Sequence, residues 1–224
     1  MLSKTCPACG KGPVVYDNGF ERCENCSVYK VKLPFYKQPL LWAEGRLWWP
    51  RALVLAYLGY VYLTLRAGEA KFALAIDMFD LGIHELGHVL FRPFGEFMAI
   101  LGGSLFQCLF PLLWLGALWW KRWYFGACVC LWWLGFNLYN VAAYIADARA
   151  RVLPLATFNS SYDDAHDWYQ LLLRTDNLAN DTTIAAGVRI AGDACIIAGL
   201  LLGTALVIKM LISSYHAKHT TQTT

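Results

Sequence analysis

Residues 72–91 read FALAIDMFDLGIHELGHVLF, and the rest of the chain is understood outward from this stretch. On a helix, residues four apart share a face, so His84 and His88 can present two imidazoles to one metal ion from adjacent turns. Glu85 lies beside them as a base for an attacking water, the arrangement of a hydrolytic zinc centre. The chain has five histidines, and His216 and His219 sit in a polar tail, so a close pair within apolar sequence is no by-product of composition. Asp77 and Asp80 fall on the same helical face. So many ionisable groups in one apolar helix are costly unless metal, pairing or water compensates them. Zinc is the expected compensation, against the plainer alternative of a hydrogen-bonded histidine pair in a core.

The composition is 58% hydrophobic and only 16% charged, too little polar sequence to cover a soluble globule of 224 residues. The expected fold class is an all-α polytopic membrane bundle of about five apolar helices, preceded by a small zinc ribbon. A net charge of +3 from scattered basic residues gives no electrostatic sign of nucleic-acid binding, and no nucleic-acid partner is expected. The N-terminus shows no cleavable signal, so the first membrane segment is expected to target the chain.

Cys6, Cys9, Cys23 and Cys26 form two C-x-x-C knuckles around a turn at Asp17-Asn18-Gly19, the spacing of a closed structural zinc site. In a segment as short as residues 1–33 the metal would stand in for a hydrophobic core. Cys108, Cys128, Cys130 and Cys195 lie in apolar runs, where cysteine behaves as a small hydrophobe.

Residues 34–51 hold three prolines with Trp42, Trp48 and Trp49, a linker suited to the bilayer interface. A helical membrane domain over 52–212 follows. Its apolar segments are Ala52–Leu65, short for a crossing, then Phe72–Phe91, Phe97–Trp120, Trp123–Ala146 and Ile190–Ile208. Asp193 interrupts the last, with Arg189 one turn earlier as its expected partner. A polar loop at 147–187 contains a short helix near 161–174, and residues 213–224 are expected to be disordered. If all five segments cross, nine basic residues fall on the side of the N-terminus and of this loop, which favours a cytoplasmic N-terminus.

In the fourth segment Asn137, Asn140, Tyr144 and Asp147 recur at three- and four-residue spacing and line one face. Polar groups in hydrocarbon need partners, and the cheapest is the helix of Asp77, Asp80, His84 and His88. Asp147 is the preferred third zinc ligand, because carboxylates bind zinc and its depth relative to Arg149 resembles that of His88 relative to Arg92. His166, in the loop, is the alternative. Gly102-Gly103-Ser104 permits close helix packing, or a break that aligns an extended peptide.

HELGH within an apolar segment, a Gly-rich stretch and a later helix with Asn and Asp together resemble the site-2 protease family of intramembrane zinc metallopeptidases, over about residues 70–155. The resemblance implies His84 and His88 as ligands, Glu85 as general base and an aspartate of a later helix as third ligand. The family's Leu-Asp-Gly is absent: Asp147 sits in Ala146-Asp147-Ala148-Arg149. The expected function is zinc-dependent hydrolysis of peptide bonds in membrane-associated substrates, in a bacterial-type cell membrane. The expected cofactors are two zinc ions, one at HELGH and one in the ribbon. The expected partners are the lipid bilayer, a membrane-protein or peptide substrate and a cytoplasmic protein recruited by the ribbon. The alternatives are a non-catalytic scaffold, in which Asp147 and His166 together close the site, and a zinc-dependent lipid hydrolase.

Overall fold

In a computed structural model the protein is mostly helical, and the structure describes residues 5–17, 20–26, 29–68, 74–153 and 166–220. The N-terminal unit is a three-stranded antiparallel sheet, β1 (Val14–Asp17), β2 (Phe20–Cys23) and β3 (Lys30–Lys32), with Val14 opposite Cys23 and Phe20 opposite Lys32. Asn18 and Gly19, assigned to its turn, lie outside the described residues. A short helix α1 (Gln38–Trp42) follows, opened by Pro39, whose missing amide costs nothing in a first turn. The guanidinium groups of Arg46 and Arg51 lie over the Trp42 ring, at 4.3 and 5.8 Å from its centroid. This pairing of basic and aromatic groups suits an interfacial segment.

Five longer helices come next: α2 (Trp49–Arg66), α3 (Leu74–Phe91), α4 (Glu96–Trp120), α5 (Tyr124–Ala146) and, beyond a short α6 (Asp167–Arg174), α7 (Asp181–Thr220). Among the described residues, α4, α5 and the run Leu178–Ala217 are long and apolar enough to cross a membrane. Helices α2 and α3 have 18 residues each and carry more polar sequence.

Helix ends follow local chemistry. Helix α4 stops where Arg122 adopts φ 60° and the amides of Arg122 and Trp123 donate back to the carbonyls of Trp119 and Leu118, a Schellman closure made without glycine. Asp176 does the same at the end of α6. Helix α7 does not stop at Ser213, where disorder was expected. No proline or glycine interrupts it there, Ser214 Oγ donates to the Met210 carbonyl, and Tyr215 packs on His219 one turn later. Residues 221–224 are outside the described set.

Contacts between helices fix their directions. Helix α4 runs antiparallel to α3, with Phe79 on Phe110 and His88 on the Ala99 carbonyl. It runs antiparallel to α5 as well, since Leu118 meets Gly126 and Gln107 meets Asn137. Helices α5 and α7 are antiparallel and nearly touch along glycines: a Cβ on Gly135 would lie 2.6 Å from the Gly192 carbonyl oxygen. Helix α2 runs in the same direction as α5, from Arg51 over Phe125, through Leu58 and Val61 against Trp132, to Tyr62 beside Tyr139. Both α2 and α3 therefore point the same way, whereas five alternating crossings would set them in opposition.

The cause is Asp193. Its carboxylate accepts from Tyr62 and Tyr139 hydroxyls at 2.6 and 2.5 Å and pairs with Arg66 at 3.1 Å, which draws the end of α2 into the α5–α7 groove. Arg189, the partner expected for it, sits over the Tyr139 ring and acts on the carboxylate through its charge, without a direct ion pair. The buried core between these three helices is Leu58, Val61, Trp132, Phe136, Tyr139 and Ile196.

Candidate metal centre

The N-terminal cluster joins the two knuckles as their spacing requires. Cys6 and Cys26 sulfurs are 3.7 Å apart, as are those of Cys9 and Cys23, and one sulfur of each lies within 4.8 Å of the others. Gly10, at φ 64°, lets the chain double back so that its amide donates to the Cys6 carbonyl. Backbone amides of Ala8 and Asn25 point at the sulfurs of Cys6 and Cys23. The four-cysteine set could hold a metal ion.

The second cluster is His84, His88 and Asp167, whose ligating atoms also lie within 4.8 Å of one another. Asp167 Oδ2 is 3.0 Å from His84 Nε2 and 3.3 Å from His88 Nε2. The rest of each imidazole is fixed by a chain of amides. A backbone carbonyl can only accept, so Asn137 must turn its Nδ2 to the Trp133 carbonyl. Its Oδ1 then accepts from Gln107 Nε2 at 2.8 Å, and Gln107 Oε1 is left facing His84 Nδ1 at 3.2 Å. His84 Nδ1 therefore carries a proton. His88 Nδ1 does too, because it donates to the Ala99 carbonyl at 2.8 Å.

Both Nε2 atoms consequently face the Asp167 carboxylate with lone pairs, which demands either a second proton on each ring or a cation among the three. Histidine metal ligands are held in this way, each with its remote N–H donated to an oxygen. The donors fit zinc, whose sites combine His nitrogen and Asp oxygen at about 2.0–2.2 Å. Space for it is left by Gly103, where a Cβ would stand 2.6 Å from both Nε2 atoms. Beside it, a Cβ on Gly102 would lie 2.7 Å from the Gly87 carbonyl oxygen, so α3 and α4 pack backbone to backbone at the site.

The chain matches no protein-family model, no curated protein and no solved structure.

Asp147 and His166, the two residues considered for the third position, are brought to each other. Asp147 closes the end of α5: its oxygens accept from the Val152 and Leu153 amides at 2.9 and 3.1 Å, and Oδ2 lies 3.3 Å from His166 Nε2. His166 Nδ1 accepts from the Tyr169 amide and so caps the N-terminus of α6. With one ring nitrogen donating and the other accepting, the imidazole has no lone pair for a metal. Burial lowers its pKa, against the pull of Asp147, and keeps it neutral.

The consequence of this cap is that the next residue, Asp167, opens α6 directly over the histidines. Its amide donates to Tyr144 Oη at 3.0 Å, and the Tyr144 ring lies 4.4 Å from that of His166. Trp168 Nε1 donates to Ser104 Oγ and Arg174 pairs with Glu96, which seats α6 on α4.

The polar stripe on α5 faces α3 as its spacing suggested. Asn140 Nδ2 donates to Asp77, Trp133 Nε1 donates to Asp80, and Asn137 and Tyr144 reach the site through Gln107 and Asp167. Glu85 is exposed. An open cleft lined by His88, Arg92, Glu96, Ala99, Ile100 and Gln170 leads to the centre.

Proposed function

We propose that this protein is an integral-membrane zinc endopeptidase of the site-2 protease type, with Asp167 in the place of the later-helix aspartate. The observation that carries the reading is the ligand set itself: two imidazoles of a His-Glu-x-x-His helix, both turned inward by their Nδ1 donors, against one carboxylate. Three protein ligands leave a fourth position for water or substrate, the pattern of catalytic rather than structural zinc. The engagement of Asp147 with His166 supports the same side, because a closed scaffold site would need them as ligands.

Zinc, when bound, supplies a Lewis acid that polarises a peptide carbonyl and acidifies water. The remaining work belongs to the chain. Glu85, one residue from His84, takes a proton from the attacking water and returns it to the leaving amine. The cleft beside His88 admits the substrate from the headgroup layer, with Ala99 and Ile100 as an apolar wall and Arg92, Glu96 and Gln170 as a polar rim. Helix α6 covers the centre from the other side and limits bulk water. The ribbon holds a second, structural zinc.

The test is hydrolysis of a labelled membrane-peptide library by the purified protein in detergent, with and without chelator. Chelator-sensitive cleavage abolished by Glu85→Gln is the expected result. Wild-type turnover in that variant would sink the mechanism, and cleavage of lipid esters alone would move the reading to a lipid hydrolase.

A further inference from the structure

We infer that Arg92 is the anchor of the cleft beside His88: its guanidinium takes a carboxylate carried by the bound peptide, so that the preferred substrates are acidic segments of membrane-associated chains. The word substrate rests on the proposed hydrolysis. Recognition of a carboxylate does not, nor does it depend on which membrane face the cleft opens.

The cleft is the way in to the metal position. Of the two imidazoles His88 is the more exposed, with 26% of its side chain accessible against 11% for His84, and His88 is the one that lines the cleft. The space measures about 350 Å³, at the small end of the ~300–1,000 Å³ of ligand pockets, which suits a short stretch of extended chain.

The polar groups of its rim differ in their commitments. Arg174 Nη2 donates to Glu96 Oε1 at 2.6 Å and to Gln170 Oε1 at 3.5 Å, so both rim acceptors are turned to Arg174 and the Glu96 charge is offset within the protein. Arg92 is exposed, and among the described residues its guanidinium meets no carboxylate, no other hydrogen-bond acceptor and no aromatic face. The surplus charge on the cleft is therefore positive. A guanidinium presents its N–H donors in a planar fork that matches the two oxygens of a carboxylate, so a carboxylate is the group that completes it.

Spacing sets the register. Arg92 follows His88 by four residues, about 6 Å along a helical course, and an extended peptide advances about 3.3 Å per residue. The carboxylate therefore belongs about two residues from the scissile bond, with the side chains between them against Val89, Ala99 and Ile100. It can come from an aspartate or glutamate side chain or from the free end of a chain, and the chemistry of recognition is the same.

The experiment is fluorescence polarisation on the full chain in nonionic detergent, loaded with zinc and carrying Glu85→Gln so that bound peptide stays whole. The probes are labelled apolar peptides, amidated at the C-terminus, in which one glutamate or one glutamine is moved along the sequence; a second set has no glutamate and ends in a free carboxylate. Expected at low salt is about tenfold tighter binding of the glutamate peptide at its best position, with the difference shrinking as salt rises. Arg92→Gln should abolish the difference with metal content unchanged, and Arg92→Glu should turn it into a preference for lysine peptides. Preference within the second set alone would assign the carboxylate to a chain end. Equal affinity for acidic and neutral peptides in both sets would leave Arg92 a lipid-headgroup anchor and overturn the inference, as would a preference that survives Arg92→Gln or the absence of saturable binding by any peptide. With Glu85 restored, cleavage is expected about two residues from the glutamate. Discrimination without cleavage would remove the hydrolysis and keep the anchor, and cleavage without discrimination would do the reverse.

Discussion

At the scale of single residues, the space left by Gly103 is the most exacting feature of the site. Gly103→Ala would push a methyl group to 2.6 Å from two imidazole nitrogens whose rings are already held from behind by Gln107 and Ala99. The expected outcome is loss of the HELGH metal with the ribbon metal retained, read as one equivalent instead of two by elemental analysis of the purified protein. Gln107→Leu removes the acceptor that selects the His84 tautomer, and metal affinity should fall about 10–100-fold. Asp167→Asn should lose the metal, while Asp147→Asn should weaken it only through the seating of α6. Metal retained in the first and lost in the second would restore Asp147 as the ligand. The histidine pair was legible because helical spacing alone places it. Asp167 was not: its position depends on where α6 begins, and that is set by the ring of His166 acting as a cap, a role histidine plays too rarely for a sequence pattern to announce.

At the scale of elements, α7 begins at Asp181, a carboxylate 1% exposed that takes two contacts from Arg149, 2.8 Å to Nε and 2.7 Å to Nη2. Arg149→Gln leaves that buried carboxylate without its partner, and the thermal midpoint in detergent should fall at neutral pH. A separate element test concerns the ribbon, whose metal ligands come from the first 26 residues alone. Cys6→Ser should release one equivalent of metal and unfold only the sheet, leaving the far-UV helical signal in place. The ribbon was readable from its two knuckles, and the apolar segments from composition. The end of α7 was not, because polar, threonine-rich sequence looks unstructured until a preceding helix of strong propensity extends into it.

At the scale of the whole molecule, apolarity marked α4, α5 and α7 as able to cross a membrane, three of the five segments expected, but not which way α2 points. Direction depends on a partner 127 positions away, the Asp193 carboxylate that captures Tyr62 and Arg66. Asp193→Leu should free the end of α2 while leaving both metals bound, which limited proteolysis near Gly68 would detect as faster cleavage. The length of α7 has a different consequence. Its 40 residues make a rod of about 60 Å, twice the hydrocarbon thickness of about 30 Å. It is riveted at two levels: Asp181 to Arg149 on one side, and Lys209 to Glu44, 2.8 Å apart, on the other. The rise between those rivets is about 42 Å, close to the ~40–45 Å of a bilayer with its headgroups. The helix is thus a gauge of bilayer thickness. In thinner lipid it must tilt, and its upper rivet then drags Arg149, two residues from the carboxylate that holds His166. If the proposed hydrolysis holds, turnover should peak in lipids whose acyl length suits the gauge and fall in short-chain bilayers, and Arg149→Gln, by cutting the upper rivet, should make it indifferent to the thickness of the surrounding membrane.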